Sequence, residues 1–223
     1  MSLRTRLLAL GIVLAGATPA AFAQFSGSSA TYESPVQWHV MGGINVPVGS
    51  GSHLLDTGWN FGFGATFRQP GAPFGLRLDV GYSANNVTSH GLYEAAGTTA
   101  LHIDGGWVDV WSAAADGELR FPIAPTAEGY GLAGVGLYHT SVQLTQIGFG
   151  YVCNPWWGYC YLASGNTVVA SHSTTDFGWN LGGGVNFKLA PGGMTLFVEA
   201  RYVWINAAHP RIEYVPIMFG VRF

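Results

Sequence analysis

Charge is what this sequence has least of. Asp, Glu, Lys and Arg make up 9% of its 223 residues, where an ordinary soluble domain carries about 25%. The formal net charge of −3 provides no basic surface, so nucleic acid is not expected as a partner. Long apolar runs are scarce too. After the first 23 residues no uncharged, continuously apolar stretch reaches the roughly 20 residues that a spanning helix needs. There is no His/Cys cluster at metal-ligand spacing, no HExxH and no GxSxG, so neither a metal nor a cofactor is expected. Cysteine occurs only at Cys153 and Cys160. What is abundant is glycine (33 residues), aromatic residues (14%) and apolarity, with a mean hydropathy of +0.25. An apolar chain without spanning helices has one other way to sit in a bilayer. It closes a β-barrel, so that backbone N–H and C=O groups are satisfied between strands.

The amino end reads as an export signal. Arg4 and Arg6 precede the apolar run Leu7 to Ala15, and Ala21-Phe22-Ala23 makes an A-x-A site. We therefore assign residues 1–23 to a secretory signal peptide cleaved after Ala23, residues 24–35 to a short N-terminal segment, and residues 36–223 to one domain. No cysteine follows the cleavage site, which argues against a lipoprotein anchor.

Eight segments alternate with a period of two, as half-buried strands do. They lie near Val36–Val48, Trp59–Arg68, Phe74–Ser83, Trp107–Phe121, Tyr130–Thr140, Asp176–Leu189, Met194–Trp204 and Tyr214–Phe223. The last is the cleanest. Val215, Ile217, Phe219, Val221 and Phe223 share one face, and Tyr214, Pro216, Met218, Gly220 and Arg222 the other. No amphipathic helix is evident to cover these apolar faces. In the fourth segment Asp109 falls on the apolar phase and is expected beside a bulge or above the membrane. The faces of the fifth, glycine-rich segment are ambiguous. Trp59, Tyr82, Trp107, Tyr138, Trp179 and Trp204 fall toward one end of the strands, and Phe67, Phe121, Tyr130, Phe187 and Phe223 toward the other, suggesting two interfacial aromatic belts. Roughly ten-residue alternating segments separated by turns predict an all-β, eight-stranded antiparallel transmembrane barrel.

The stretches Gly178–Phe187, Leu196–Tyr202 and Tyr214–Phe223 resemble those of the small eight-stranded bacterial outer-membrane β-barrel families. The resemblance implies a location in the cell outer membrane, contact with outer-membrane lipid and lipopolysaccharide, and a monomeric barrel. It also implies that Phe219, Val221 and Phe223 serve as the signal read by the barrel-assembly machinery. It leaves function open, because such barrels act as structural proteins, adhesins, immune-evasion factors or lipid-modifying enzymes.

The inward phase carries charge: Arg77, Asp79, Asp116, Glu118, Arg120, Glu199, Arg201 and Arg222. An eight-stranded lumen is only wide enough for side chains, and isolated buried charges are very costly. These residues are expected to pair, Arg77 with Glu118 and Arg222 with Glu199, as an ion-pair core; a narrow pore is the alternative. His139 and Ser141, two apart on a strand, share a face as a base and its nucleophile must. The element is similar to the His-x-Ser of outer-membrane lipid A deacylases, although no acid occurs between Glu128 and Asp176. Gly129-Tyr130-Gly131-Leu132-Ala133-Gly134 matches GxGxxG, but no helix follows to receive a phosphate. No charged residue occurs from Gly129 to Thr175. The loop within that segment carries Trp156, Trp157 and Tyr159, either packed on one another or contacting an external protein or host partner. Pro155 and Gly158 suit a turn between strand-forming flanks. In an oxidising compartment Cys153 and Cys160 are expected to form a disulfide at the tip of a hairpin extending strands five and six beyond the membrane. The favoured function is a non-enzymatic barrel that supports envelope integrity or binds external partners through its loops. A lipid A-modifying enzyme and a pore are the alternatives.

Overall fold

The computed structural model describes residues 34–97, 103–189, 194–206 and 212–223. The signal-peptide assignment and most of the 24–35 segment fall outside the described residues. The described chain forms β1 (Val36–Val48), β2 (Gly58–Phe67), β3 (Phe74–Asn86), β4 (Gly105–Ala124), β5 (Ala127–Asn154), β6 (Tyr159–Lys188), β7 (Thr195–Ile205) and β8 (Ile212–Arg222). A 3-10 turn, Gly49–His53, follows β1, and a short helix, α1 (Ser89–Gly97), lies between β3 and β4. Among the described residues no helix is long and apolar enough to cross a membrane.

The strands form a closed barrel in sequence order, each antiparallel to its neighbours. β8 returns to β1, with Val40 opposite Val221 and Ile44 opposite Ile217. Two reciprocal backbone bonds of 2.9 Å between Trp38 and Phe223 finish the seam. Closure leaves no sheet edge within the barrel. The chain enters and leaves at one end, where Gln69–Pro73 and Pro125-Thr126 make short turns. Short turns face the periplasm in such barrels, and longer loops face outward.

Alternation decides the two faces. Trp38, Phe63, Leu78, Val135, Phe177 and Phe219 are among the exposed apolar residues of the outer surface, while Asn60, Arg77, Asp116, Asn180, Glu199 and Arg222 point into the lumen. The ambiguous fifth strand resolves the same way: Val135 and Leu137 face out, Leu132 and Tyr138 in. Two belt assignments are thereby corrected. Tyr130 and Tyr138 are buried in the lumen, because even-numbered positions on β5 face inward. Trp59, Tyr82 and Trp111 form one outward stack with ring centroids 5.3 and 4.9 Å apart, and Trp179 packs on Tyr202 and Trp204. Asp109 sits beside no bulge: the β3–β4 register runs unbroken through it. It lies on the outer face, where its Oδ1 accepts a 2.7 Å bond from the Tyr82 hydroxyl.

One expected feature is present, the hairpin that extends the fifth and sixth strands, and one is new. Strands β5 and β6 are 28 and 30 residues long, although a spanning strand needs only about 9–11. α1 is the new one. Thr88 caps it: its Oγ1 accepts from the Gly91 N–H at 3.1 Å and donates to the His53 carbonyl at 2.6 Å. The cap thus ties α1 to the turn after β1.

Candidate functional site

The inward charges meet in one cluster. Four guanidinium groups (Arg77, Arg120, Arg201, Arg222) face four carboxylates (Asp79, Asp116, Glu118, Glu199), all at 6% exposure or less. Arg77 Nη1 lies 2.6 Å from Glu199 Oε2 and its Nε 2.9 Å from Asp79. Arg201 Nη1 reaches Asp116 at 2.8 Å, and its other nitrogens reach Asp79 and Glu199. Arg222 holds Glu118 through two bonds of 3.0 Å, and Arg120 also bonds Glu118. Neutral groups complete the set. The Tyr130 hydroxyl donates to Glu199 at 2.7 Å, Asn180 donates to Asp116 at 2.8 Å, and His39 Nε2 lies 2.6 Å from Asp79. Arg222 stacks on the rings of Tyr130 and Phe197, at 4.7 and 4.9 Å. Glycine makes room for this. A Cβ on Gly134 would strike the Asp116 carboxylate, and one on Gly184 would meet the Tyr130 hydroxyl. The glycines of the GxGxxG stretch thus lie within β5, Gly134 beside the ion cluster.

The pairing follows the sequence expectation only in part. Arg222 bonds Glu118, not Glu199, and Arg77 bonds Glu199 and Asp79 more closely than Glu118, which stands 3.6 Å away. On the β7–β8 ladder Arg222 is level with Thr195, and Glu199 with Met218. The strand stagger places Glu199 four positions farther up the barrel, so Arg222 reaches across the lumen to β4. Above the ions the lumen turns apolar. Val108, Val110, Tyr138, Val203, Ile205 and Tyr214 form a buried layer on the loop side.

His139 and Ser141 lie on the outer surface near the loop end of β5. His139 is opposite Trp111 and Thr175, and Ser141 opposite Asp109 and Ser173. The fold thus brings an acid beside the pair that the local sequence lacks. However, Asp109 accepts from Tyr82, and His139 Nδ1 bonds Thr175 Oγ1 at 2.8 Å. Acyl transfer needs the serine on the imidazole and an acid orienting it. Among the described residues neither contact is made. They also hold no group of three or more His, Cys, Asp or Glu residues placed to bind a metal.

Beyond Thr145 the fifth strand leaves β4, and residues 146–154 pair only with 159–167. This two-stranded ribbon runs for nine register pairs, roughly 30 Å at the usual rise. A four-residue turn closes it: Asn154 Oδ1 accepts from the Trp156 N–H at 2.9 Å, and Gly158 adopts φ +67°. Cys153 and Cys160 are directly opposite and disulfide-bonded. Phe149, Tyr151 and Leu162 are exposed on the face that carries the disulfide, and Tyr159 and Tyr161 stack at 6.2 Å on the other. Trp156 is 90% exposed and Trp157 77%, so the tip aromatics are presented to solvent. The disulfide closes a loop whose sequence separation is seven and should contribute about 2–4 kcal/mol at most. Reduction is expected to leave the barrel's heat-modifiable gel migration unchanged while the ribbon becomes protease-sensitive. Unfolding of the whole barrel on reduction would contradict that locality.

A closed barrel with a lipid-facing apolar band, a paired ionic interior and one long ribbon defines a transmembrane barrel with a surface extension. In sequence the chain matches the outer membrane protein beta-barrel domain family over residues 8–223. It belongs to that family and is an outer-membrane protein. No curated protein matches it in sequence. In fold it is similar to Neisserial surface protein A, at 16% identity and a TM-score of 0.54 over 85% of this chain and 96% of that one. It is also similar to a major outer membrane protein from Thermus thermophilus, at 14% identity and a TM-score of 0.52 over 85% and 99%.

Proposed function

We propose that this barrel is a non-enzymatic surface binding protein, and that its β5–β6 ribbon engages an external protein through Trp156, Trp157 and Tyr159. One observation carries the reading: an uncharged, disulfide-closed ribbon stands clear of the barrel with its large aromatics exposed. Contiguous exposed apolar surface marks interaction sites. Tyr and Trp anchors set among Gly, Ser and Asn are the chemistry of adaptable protein recognition, and Trp and Tyr dominate binding hot spots. The disulfide holds the tip in place before contact, which reduces the ordering cost. With no charge on the ribbon, association should depend little on salt.

The test uses intact cells of the native bacterium growing on their natural surface, with Tyr151 replaced by the photo-crosslinker p-benzoylphenylalanine. An adduct with an external protein is expected. Combined Trp156→Ala, Trp157→Ala and Tyr159→Ala substitutions should abolish it without changing the barrel level in the membrane. An adduct confined to lipopolysaccharide, or one indifferent to the triple substitution, overturns the reading. Deletion of residues 147–166 that sensitises cells to detergent, with no adduct in the parent, assigns the barrel to envelope support instead. Lipid A mass spectra that change only when His139 and Ser141 are intact would assign it to lipid A modification.

A further inference from the structure

The outward mouth of the lumen holds a cavity of about 320 Å³ that lies apart from the ribbon. α1 roofs it, with Gly91 packed so closely on Leu54 and Val87 that a Cβ would collide with both. Val108, Val110, Val142 and Leu144 supply apolar walls from β4 and β5, continuous with the buried layer above the ions. Apolar cavities of about 150 Å³ take benzene, so this one has room for roughly ten to twelve heavy atoms by the same scale. Water is a poor occupant of such a space, since it needs two to four polar partners.

The charged groups at its margin are engaged elsewhere. Glu213 lies on the outward phase of β8, where its Oε2 accepts from the Tyr202 hydroxyl at 2.7 Å. Glu94 lies 3.3 Å from His90 on α1, and its side chain is 57% exposed. No Lys, Arg or His lines the cavity. A ligand of either charge would therefore enter hydrocarbon without a counter-ion, which is very costly. One polar atom is left over. Asn45 lines the cavity and is 1% exposed, and its Oδ1 is the one buried side-chain atom of the lining without a hydrogen-bond partner. The orientation of that amide follows from its neighbour. Asn85 Nδ2 donates to the carbonyls of Asn45 and Asp56, so Asn85 presents its Oδ1, and Asn45 must donate to it through Nδ2 at 2.7 Å. The remaining Asn45 atom is therefore an acceptor. A buried acceptor left unpaired costs free energy, which a single donor on an otherwise apolar ligand would recover.

We propose that the mouth of the barrel binds a small, neutral, apolar alcohol, its hydrocarbon body between α1 and the β4–β5 wall and its hydroxyl donating to Asn45 Oδ1. The site excludes cations and anions of the same shape alike, because the cavity offers neither of them a counter-charge. It is independent of the ribbon, so either reading stands or falls alone.

The probe is 4-phenylbutanol, titrated by calorimetry into the full barrel in lipid nanodiscs, with the heat of empty nanodiscs subtracted. Saturable one-to-one binding is expected. 4-Phenylbutylamine and 4-phenylbutyrate should each bind at least about tenfold more weakly, since each carries an unpaired charge into hydrocarbon. The methyl ether of the alcohol keeps the body and loses the donor, and should bind about fivefold more weakly for want of one hydrogen bond. Asn45→Leu should erase that difference between alcohol and ether. Ala95→Phe and Val142→Phe, which fill the cavity from the roof and from the β5 wall, should each abolish saturable binding. The alcohol should also slow amide hydrogen exchange in α1, which partition into lipid would not do. Amine or acid binding as tight as that of the alcohol overturns the neutral assignment, and equal binding of alcohol and ether overturns the role of Asn45. A linear, non-saturating signal, or one unchanged in both cavity-filling variants, shows partition into lipid and overturns the site.

Discussion

Replacing Arg201 by leucine is expected to cost about 3–5 kcal/mol of unfolding free energy, because it leaves buried carboxylates without their counter-charge. Arg201 projects from β7 and contacts Asp79 of β3, Asp116 of β4 and Glu199 of its own strand. Four arginines balance four acids in this part of the lumen, so its loss makes the cluster net negative in a space shielded from water. Asp116→Leu in the same chain restores the balance, and the double variant should lose clearly less than the sum of the single losses. A surface pair supplies the contrast. Lys188 and Glu128 are 2.6 Å apart at the rim, but the lysine side chain is 40% exposed, and breaking that pair should cost about 0–1 kcal/mol. Urea unfolding in lipid vesicles measures all four variants. Additive losses for Arg201 and Asp116, or a loss at Arg201 no larger than at Lys188, would mean that the cluster is not coupled.

Phe223→Ala is expected to remove most of the outer-membrane yield in cells while lowering the stability of refolded barrel by no more than about 1.5–3 kcal/mol, the value of burying one aromatic side chain. The Phe223 side chain is 65% exposed on the outer face at the chain-terminal end, where few protein neighbours depend on it. Its backbone matters more to the folded barrel, through the two 2.9 Å bonds with Trp38 that close the seam. Deleting Phe223 altogether should therefore cost a further 1–3 kcal/mol or so in vitro, at about 0.5–1.5 per hydrogen bond, with little additional loss of yield. If Phe219, Val221 and Phe223 form the assembly signal, substitution and deletion will be nearly equivalent in cells and distinct in vitro. Equal relative losses in the two assays for Phe223→Ala would make the residue a stability element instead.

Much of this architecture is legible in the linear pattern. A period of two is a local property, so Val215 through Phe223 declare their lipid face, and Arg77, Asp116 and Glu199 their lumen face, without knowledge of any partner strand. Low charge, no spanning helix and eight alternating segments leave a closed barrel as the remaining solution. The cysteine pair is legible for a similar reason, because Asn154 to Tyr159 carry turn chemistry between strand-forming flanks.

The tertiary structure decided what depends on register and on contacts across the lumen. Arg222 takes Glu118 instead of Glu199 because strand stagger sets the height of each side chain, and stagger is a property of the closed sheet. Tyr130 and Tyr138 could not be placed from β5 alone, where alternating glycines leave the pattern without a phase until β4 and β6 pair with it. α1 carries two glycines in nine residues and no strong apolar stripe, so its signal is tertiary: the Thr88 hydroxyl spans two loops. Asp109 comes beside Ser141, and Asn45 bonds Asn85, only when β-strands distant in sequence are aligned. The sequence by itself determined the class, the membrane and the two faces of every strand but β5, because these follow from local alternation and the need to satisfy the backbone in lipid. The partners within the ionic cluster and the cavity beneath α1 were decided by closure, which sets which strands run together across the lumen.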